Sequence, residues 1–125
     1  MAARLSRILL YVRDIEATAR FYQTFFGLTA EPDPDGRIVE LASPEGGTIL
    51  MLHQAAKSQK QGQTAVKLLF DVEEVEAFRE ACLARGLAFG PVHEADGYRF
   101  ANAKDPDQNS ISISSRAFRD GHRPA

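Results

Sequence analysis

The sequence predicts an α+β chain made of two tandem βαβββ modules, and three observations predict it. Residues 7–17, Arg-Ile-Leu-Leu-Tyr-Val-Arg-Asp-Ile-Glu-Ala, are echoed sixty positions later by residues 67–77, Lys-Leu-Leu-Phe-Asp-Val-Glu-Glu-Val-Glu-Ala. Each copy reads as a short apolar strand running into an acidic helix start, with a glycine at the helix end and further strand-like runs beyond. The length of 125 residues, 44% of them apolar, suits one domain assembled from two half-sized units. Two copies are too few for a solenoid, so the repeat signals duplication of one unit within a single domain over 1–125.

In the first module, at about 4–53, Ile8, Leu10 and Val12 alternate with Arg7, Leu9 and Tyr11 at the period of a strand. Asp14 suits a helix N-cap, because its carboxylate accepts the orphan backbone N–H groups of the first turn. Ile15, Ala19, Tyr22 and Phe26 continue at helical spacing, with Phe21 and Phe25 widening the apolar stripe. Gly27 is placed to end the helix in the left-handed conformation. A short strand is expected from Leu28 to Glu31, then the Pro32-Asp33-Pro34-Asp35-Gly36 turn. Runs 37–42 and 48–53 flank Ser43-Pro44-Glu45-Gly46-Gly47 and read as two strands around a hairpin turn. Residues 54–63 are polar and aperiodic, and form the linker.

The second module, about 64–115, repeats the order. A strand is expected at 65–71, a helix from about 73 to Arg85 with Gly86 as its stop, and strands near 87–92, 97–103 and 110–115. The last two are separated by Asp105-Pro106-Asp107-Gln108-Asn109. The tail, 116–125, carries Gly, Pro and three Arg, with Phe118 able to dock. Ile8, Leu10, Val12 and Leu68, Phe70, Val72 are uniformly apolar and should face the helices. The opposite parity then places Arg7, Leu9, Tyr11 and Lys67, Leu69, Asp71 on accessible faces. The parity of 97–103 is not fixed by its pattern, so Phe100 and Asn102 face either way.

Composition excludes several classes. A formal net charge of −2 with acids and bases intermixed gives no basic patch for nucleic acid, and Arg4, Arg7, Arg116, Arg119 and Arg123 are dispersed. No apolar run approaches the ~20 residues of a membrane span, and no secretory signal opens the chain. The single Cys82 makes no internal disulfide and sits beside Phe78 on a helix face as a core residue. This agrees with a cytoplasmic setting.

Leu10-Tyr11-Val12-Arg13-Asp14, then Phe21-Tyr22 and Phe25-Phe26-Gly27-Leu28, resemble the opening signature of the vicinal oxygen chelate superfamily, which includes glyoxalase I, extradiol dioxygenases and bleomycin-resistance proteins. Asp105-Pro106-Asp107-Gln108-Asn109 resembles its Asp-Pro-Asp-Gly-Asn turn, with Gln108 in place of Gly. The resemblance covers about residues 5–115 and implies a curved mixed sheet around a cup, of the glyoxalase/bleomycin-resistance type. In the family's metal enzymes, one ligand comes from the first and one from the last strand of each module. Carried across, these positions hold Arg7, Lys67, Ser112 and one residue of Ile49–Leu52, with Met51 favoured. Guanidinium and ammonium groups have no free lone pair, so no metal and no other cofactor is expected.

His53, two residues beyond Met51, and Glu40, on the preceding strand, are candidates for rebuilding a metal site, whereas His93 and His122 stand apart. None shows metal-ligand spacing, and a hydrogen-bonded or exposed His53 is the favoured reading. Arg7 and Lys67 suggest a grip on an anionic ligand. The bland alternative is pairing with Glu40, Asp71 or Glu73. Tyr11, Tyr98 and Phe100 are candidate aromatic walls, although strand aromatics more often serve the core. The function expected is metal-independent binding of a small molecule, an antibiotic or an anionic metabolite, by a homodimer implied by the resemblance. Arg7, Tyr11, Glu40, Met51, His53, Lys67, Phe100 and Ser112 are its candidate ligand-binding residues. The alternative is a glyoxalase-like lyase or isomerase, or a dioxygenase, with noncanonical metal ligands or with His53 or Tyr11 as acid–base groups; no catalytic constellation is legible for it.

Overall fold

The computed structural model describes residues 1–2, 5–63 and 65–121, with side chains through residue 119, so Arg4, His122 and Arg123 lie outside the described residues. The chain divides into two compact units, Met1–Gln63 and Thr64–Ala125. No helix among the described residues is long and apolar enough to cross a membrane.

The first unit contains β1 (Arg7–Val12), α1 (Ile15–Phe26), β2 (Thr29–Pro32), β3 (Ile38–Ala42) and β4 (Ile49–Gln54). Its sheet runs β1-β4-β3-β2, with β1 parallel to β4 and the other neighbours antiparallel. The helix begins where expected: Asp14 is extended, and its Oδ1 accepts the Ala17 N–H at 3.0 Å. It ends at Gly27, whose φ of 66° is left-handed and whose N–H donates to Gln23 O at 3.2 Å. Ile8, Leu10 and Val12 lie in register with Leu50, Leu52 and Gln54, and this face packs toward α1. Val12, Leu41, Leu52 and Tyr22 are fully buried there. Phe21 meets Tyr22 edge-on at 5.1 Å and Phe25 at 5.2 Å, so the aromatic stripe packs along its own helix as well.

The second unit repeats the topology with β5 (Lys67–Asp71), α2 (Val75–Ala84), β6 (His93–Ala95), β7 (Tyr98–Lys104) and β8 (Ser110–Ser114), ordered β5-β8-β7-β6. Its core holds Leu68, Val75, Cys82, Phe89, Ala101, Ile111 and Ile113. Glu74 stands where Asp14 does but makes no side-chain capping bond, and α2 starts at Val75 instead of residue 73. The longer side chain places its carboxylate beyond the geometry that Asp achieves.

The strand expected near 87–92 does not form. Phe89 is buried and Gly90 donates to Asn102 O at 2.8 Å, but Pro91 has no N–H to extend a ladder. Pairing starts only at His93. Gln54, assigned to the linker, is the last residue of β4, and the first strand of the second unit begins at Lys67, not 65. In the tail, Arg116–Gly121 form a 3₁₀ helix, with Phe118 N–H bonded to Ser115 O at 2.9 Å.

The Asp105–Asn109 turn is closed by its own first side chain. Asp105 Oδ1 accepts the Asp107 and Asn109 N–H groups at 2.8 and 2.9 Å, and Oδ2 accepts Asn109 Nδ2 at 2.9 Å. Gln108, at φ 69°, is the sole non-glycine with positive φ among the described residues. The Gly of the family's pattern is the residue that conformation favours.

Candidate functional site

Each sheet has one face toward its helix and one open face, and strand register fixes what the open faces carry. In the first unit, Leu9, Met51, Glu40 and Glu31 share one cross-strand row. Tyr11, His53 and Ile38 share the next, and Arg7 lies opposite Ile49. In the second unit the matching rows are Leu69, Ser112, Asn102; Asp71, Ser114, Phe100, His93; and Lys67, Ser110, Lys104. Arg7, Tyr11 and Lys67, expected on the accessible side from the apolar parity of the first strands, lie on the open faces, and register adds Met51 and His53 of β4 to the first of them. Register also settles the parity left open in the sequence: Phe100, Asn102 and Tyr98 all lie on the open face.

On the first face, Arg7 reaches across β4 to Glu40, Nε to Oε2 at 3.4 Å, with both side chains partly exposed. This is the internal pair weighed against a ligand grip. Tyr11 and His53 are ring neighbours at 5.3 Å, tilted by 58°. His53 Nδ1 lies 2.9 Å from Gln54 O, which favours the tautomer that carries the proton on Nδ1. Leu9 and Tyr11 are 39% and 49% exposed, and Met51 is half-buried beside them.

On the second face, Lys67 Nζ donates to Asn102 Oδ1 at 3.1 Å, not to Asp71 or Glu73. Lys104 Nζ donates to Ser110 Oγ at 2.9 Å. Ser112 is buried, and its hydroxyl donates to Ala101 O at 3.1 Å, so it supports the sheet and presents no free group. Phe100 is a ring neighbour of His93 at 5.1 Å, tilted by 33°, and lies 6.0 Å from Tyr98, over which the Arg116 guanidinium sits at 5.3 Å. Leu69 is 57% exposed in the middle of this face. Sequence reasoning missed Lys104 and Ser110; the signal for Lys104 is the alternation 98-100-102-104, readable once the face of Phe100 is known, and Ser110 follows only from its pairing with Lys104.

Two titratable residues serve structure. Arg99 pairs with Glu76 and with Glu94, joining α2, β7 and β6, and these bonds, Glu76 first, hold its guanidinium still more firmly protonated. Burial pushes the Cys82 thiol up, with Arg85 pulling the other way, so it is a protonated core group at neutral pH.

The four positions where the resemblance implies metal ligands sit on the open faces, two per unit, and their chemistry does not fit a divalent ion. Arg7 and Lys67 are cationic donors, Met51 offers a soft thioether, and the Ser112 hydroxyl is engaged with backbone. Glu40 is paired with Arg7. Among the described residues no group of three His, Cys, Asp or Glu is arranged to hold a metal ion.

The fold has many solved likenesses. A virulence protein from Salmonella typhimurium is 25% identical with a TM-score of 0.71, over 91% of this chain and 97% of that one. TnmS3, an antibiotic binding protein from Streptomyces sp. CB03234, is 23% identical with a TM-score of 0.75, over 99% and 98%. A lactoylglutathione lyase from Agrobacterium tumefaciens is 21% identical with a TM-score of 0.70, over 90% and 93%. No curated protein sequence matches the chain. The family model described as Glyoxalase/Bleomycin resistance protein/Dioxygenase superfamily matches residues 4–113, and with two βαβββ units in that order the chain belongs to this superfamily.

Proposed function

We propose that the protein binds a small molecule without a metal, sequestering an antibiotic or an anionic metabolite, and that it acts as a homodimer. The observation that carries this reading is the exposed leucine at the centre of each open face, Leu9 and Leu69, flanked by polar groups that are already hydrogen-bonded. Such a surface offers an apolar seat with a few fixed polar contacts, the usual make-up of a small-molecule site. Arg7, Tyr11, Glu40, Met51 and His53 are the ligand-facing group of the first unit. Lys67 and Phe100 are that of the second, with Ser112 beneath them as support. Support also comes from similarity to an antibiotic binding protein and from the cationic and neutral groups at the metal-ligand positions. The dimer rests on the resemblance and on the unpaired edge strands of each sheet.

The test is thermal denaturation of chelator-treated protein against aromatic antibiotics and organic acids. A ligand at a hundred times its Kd should stabilise the chain by about 2.7 kcal/mol. The stabilisation should persist in EDTA and weaken in Leu9→Glu or Leu69→Glu. Stabilisation that requires added Mn, Fe, Ni or Zn and vanishes with chelator would overturn metal independence. Light scattering at micromolar concentration tests the dimer, and a monomer mass would remove it.

A further inference from the structure

The open face of the second unit carries a cluster of cations with no counterpart among the described residues of the first unit's open face. Lys67 on β5 and Lys104 on β7 stand on either side of Ser110 in one cross-strand row. Two strand spacings separate their backbones, about 10 Å. Both side chains close that gap: Lys104 leans in to Ser110 Oγ at 2.9 Å, and Lys67 crosses β8 to Asn102 Oδ1 at 3.1 Å. Every acceptor is neutral. Among the described residues, neither ammonium has a carboxylate within ion-pairing distance.

The neighbouring acids do not fill this role. Asp71 shares the face but lies four residues along β5 from Lys67, about 13 Å away at the rise of a strand. Asp105 follows Lys104 in sequence, yet it is buried and its oxygens accept the two N–H groups and the amide of its own turn. Two like charges on one face, Lys104 on the Ser110 hydroxyl and Lys67 on the Asn102 amide, with no counter-charge, form a place where an anion is favoured.

We propose that Lys67, Lys104, Ser110 and Asn102 bind an oxyanion of the phosphate-monoester class. This deepens the small-molecule reading and rests on it, naming the charged group of the ligand that the second unit takes. Lysine ammoniums act as point charges suited to a tetrahedral phosphoryl group, and the Ser110 hydroxyl is a further donor. Turning the Asn102 side chain presents its Nδ2 once the anion draws Lys67 away. Leu69 and Phe100 lie one and two rows further along the same face, where an apolar or aromatic body attached to the phosphate would rest. Arg7 is not part of this site, because Glu40 already neutralises it.

The experiment is a titration of the ¹⁵N-labelled chain with inorganic phosphate at constant ionic strength, followed by its amide spectrum. The expected result is saturable shifts at residues 67, 102, 104 and 110 with a Kd on the order of millimolar. Lys67→Gln and Lys104→Gln, both at exposed positions, should each weaken binding roughly tenfold, and Lys57→Gln, an exposed lysine between β4 and β5, should leave it unchanged. Phenyl phosphate should bind more tightly than phosphate and extend the shifts to Leu69 and Phe100. Absence of saturation at tens of millimolar phosphate, or equal affinity in Lys104→Gln, would overturn the site. Benzoate binding as tightly as phenyl phosphate would overturn the phosphate class. If neutral aromatics stabilise the chain while phosphate leaves it unmoved, this site fails and the small-molecule reading stands. If phosphate shifts depend on Lys104 while no organic ligand binds, the anion site holds and the broader reading fails.

Discussion

Arg7 and Lys67 occupy the same place in their units and make the same reach, across the last strand of the sheet to the third, yet they meet different chemistry. Arg7 finds the carboxylate of Glu40, whereas Lys67 finds the amide of Asn102 and has Lys104 close by. The first unit neutralises its cation internally; the second leaves two cations on neutral oxygens. A duplicated backbone thus supplies the geometry twice, and side chains alone decide which copy can receive a charge.

The contrast extends to the other side of each sheet. Tyr22 on α1 is fully buried, and sixty residues later its counterpart on α2 is Cys82, also buried but far smaller. Tyr22→Ala should cost about 3–5 kcal/mol, the range for emptying an aromatic from a core. Cys82→Ala should cost only about 1–2 kcal/mol, from the lost sulfur and a small cavity. Urea denaturation checks the totals, and amide exchange assigns the loss to one unit or the other. Equal losses would break the view that the two helices are anchored unequally.

The turns before the last strands give the next largest difference. Asp105 holds three hydrogen bonds from within its turn, whereas Ser43 at the corresponding place holds one, from the Glu45 N–H at 3.0 Å. Asp105→Ala leaves three donors to find new partners and should cost about 3 kcal/mol. Ser43→Ala should cost about 1 kcal/mol or less.

Much of this asymmetry was open to a reader of the sequence, because uniform apolar parity at 8-10-12 and 68-70-72 fixes which way Arg7 and Lys67 point. Choosing Glu40 from the nearby acids as the partner of Arg7 needed the β3–β4 register, which local pattern does not specify. Tyr98–Lys104 reads Tyr-Arg-Phe-Ala-Asn-Ala-Lys, where neither parity is uniformly apolar. Phe100 therefore stayed unassigned and Lys104 unnoticed. Residues 87–92 place Phe89 in the core and give one backbone bond, from Gly90, without extending a ladder, a difference from a strand that apolar content alone does not reveal. The repeat transmits backbone topology; which donors meet which acceptors depends on contacts between strands far apart in sequence.

Helix capping sharpens the comparison at smaller magnitude. Asp14 caps α1 through the Ala17 N–H, and Glu74 does not cap α2. Asp14→Ala should destabilise by about 1 kcal/mol, whereas Glu74→Ala should change little. Glu74→Asp should recover up to about 1 kcal/mol by supplying the bond that α1 already has. Amide exchange at residues 76–78 would report it, and no added protection there would show that the α2 backbone is not positioned to be capped.

The smallest effect lies at the left-handed turn residues, Gly46 at φ 84° and Gln108 at φ 69°, each donating its N–H at 3.0 Å to the residue that opens its turn. A side chain in that conformation costs roughly 1–2 kcal/mol. Glycine gives back up to about 1 kcal/mol of this through the greater freedom of its unfolded chain. Gln108→Gly should therefore stabilise the second unit by about 0.5–1 kcal/mol, and Gly46→Gln should destabilise the first by a similar amount. An added Cβ at Gly46 meets nothing within 4 Å, so the loss would come from backbone strain alone. Opposite and near-equal shifts in urea midpoint would show that the two turns differ only in that strain. A loss in Gln108→Gly would instead show that the Gln side chain contributes something to the second unit that glycine removes.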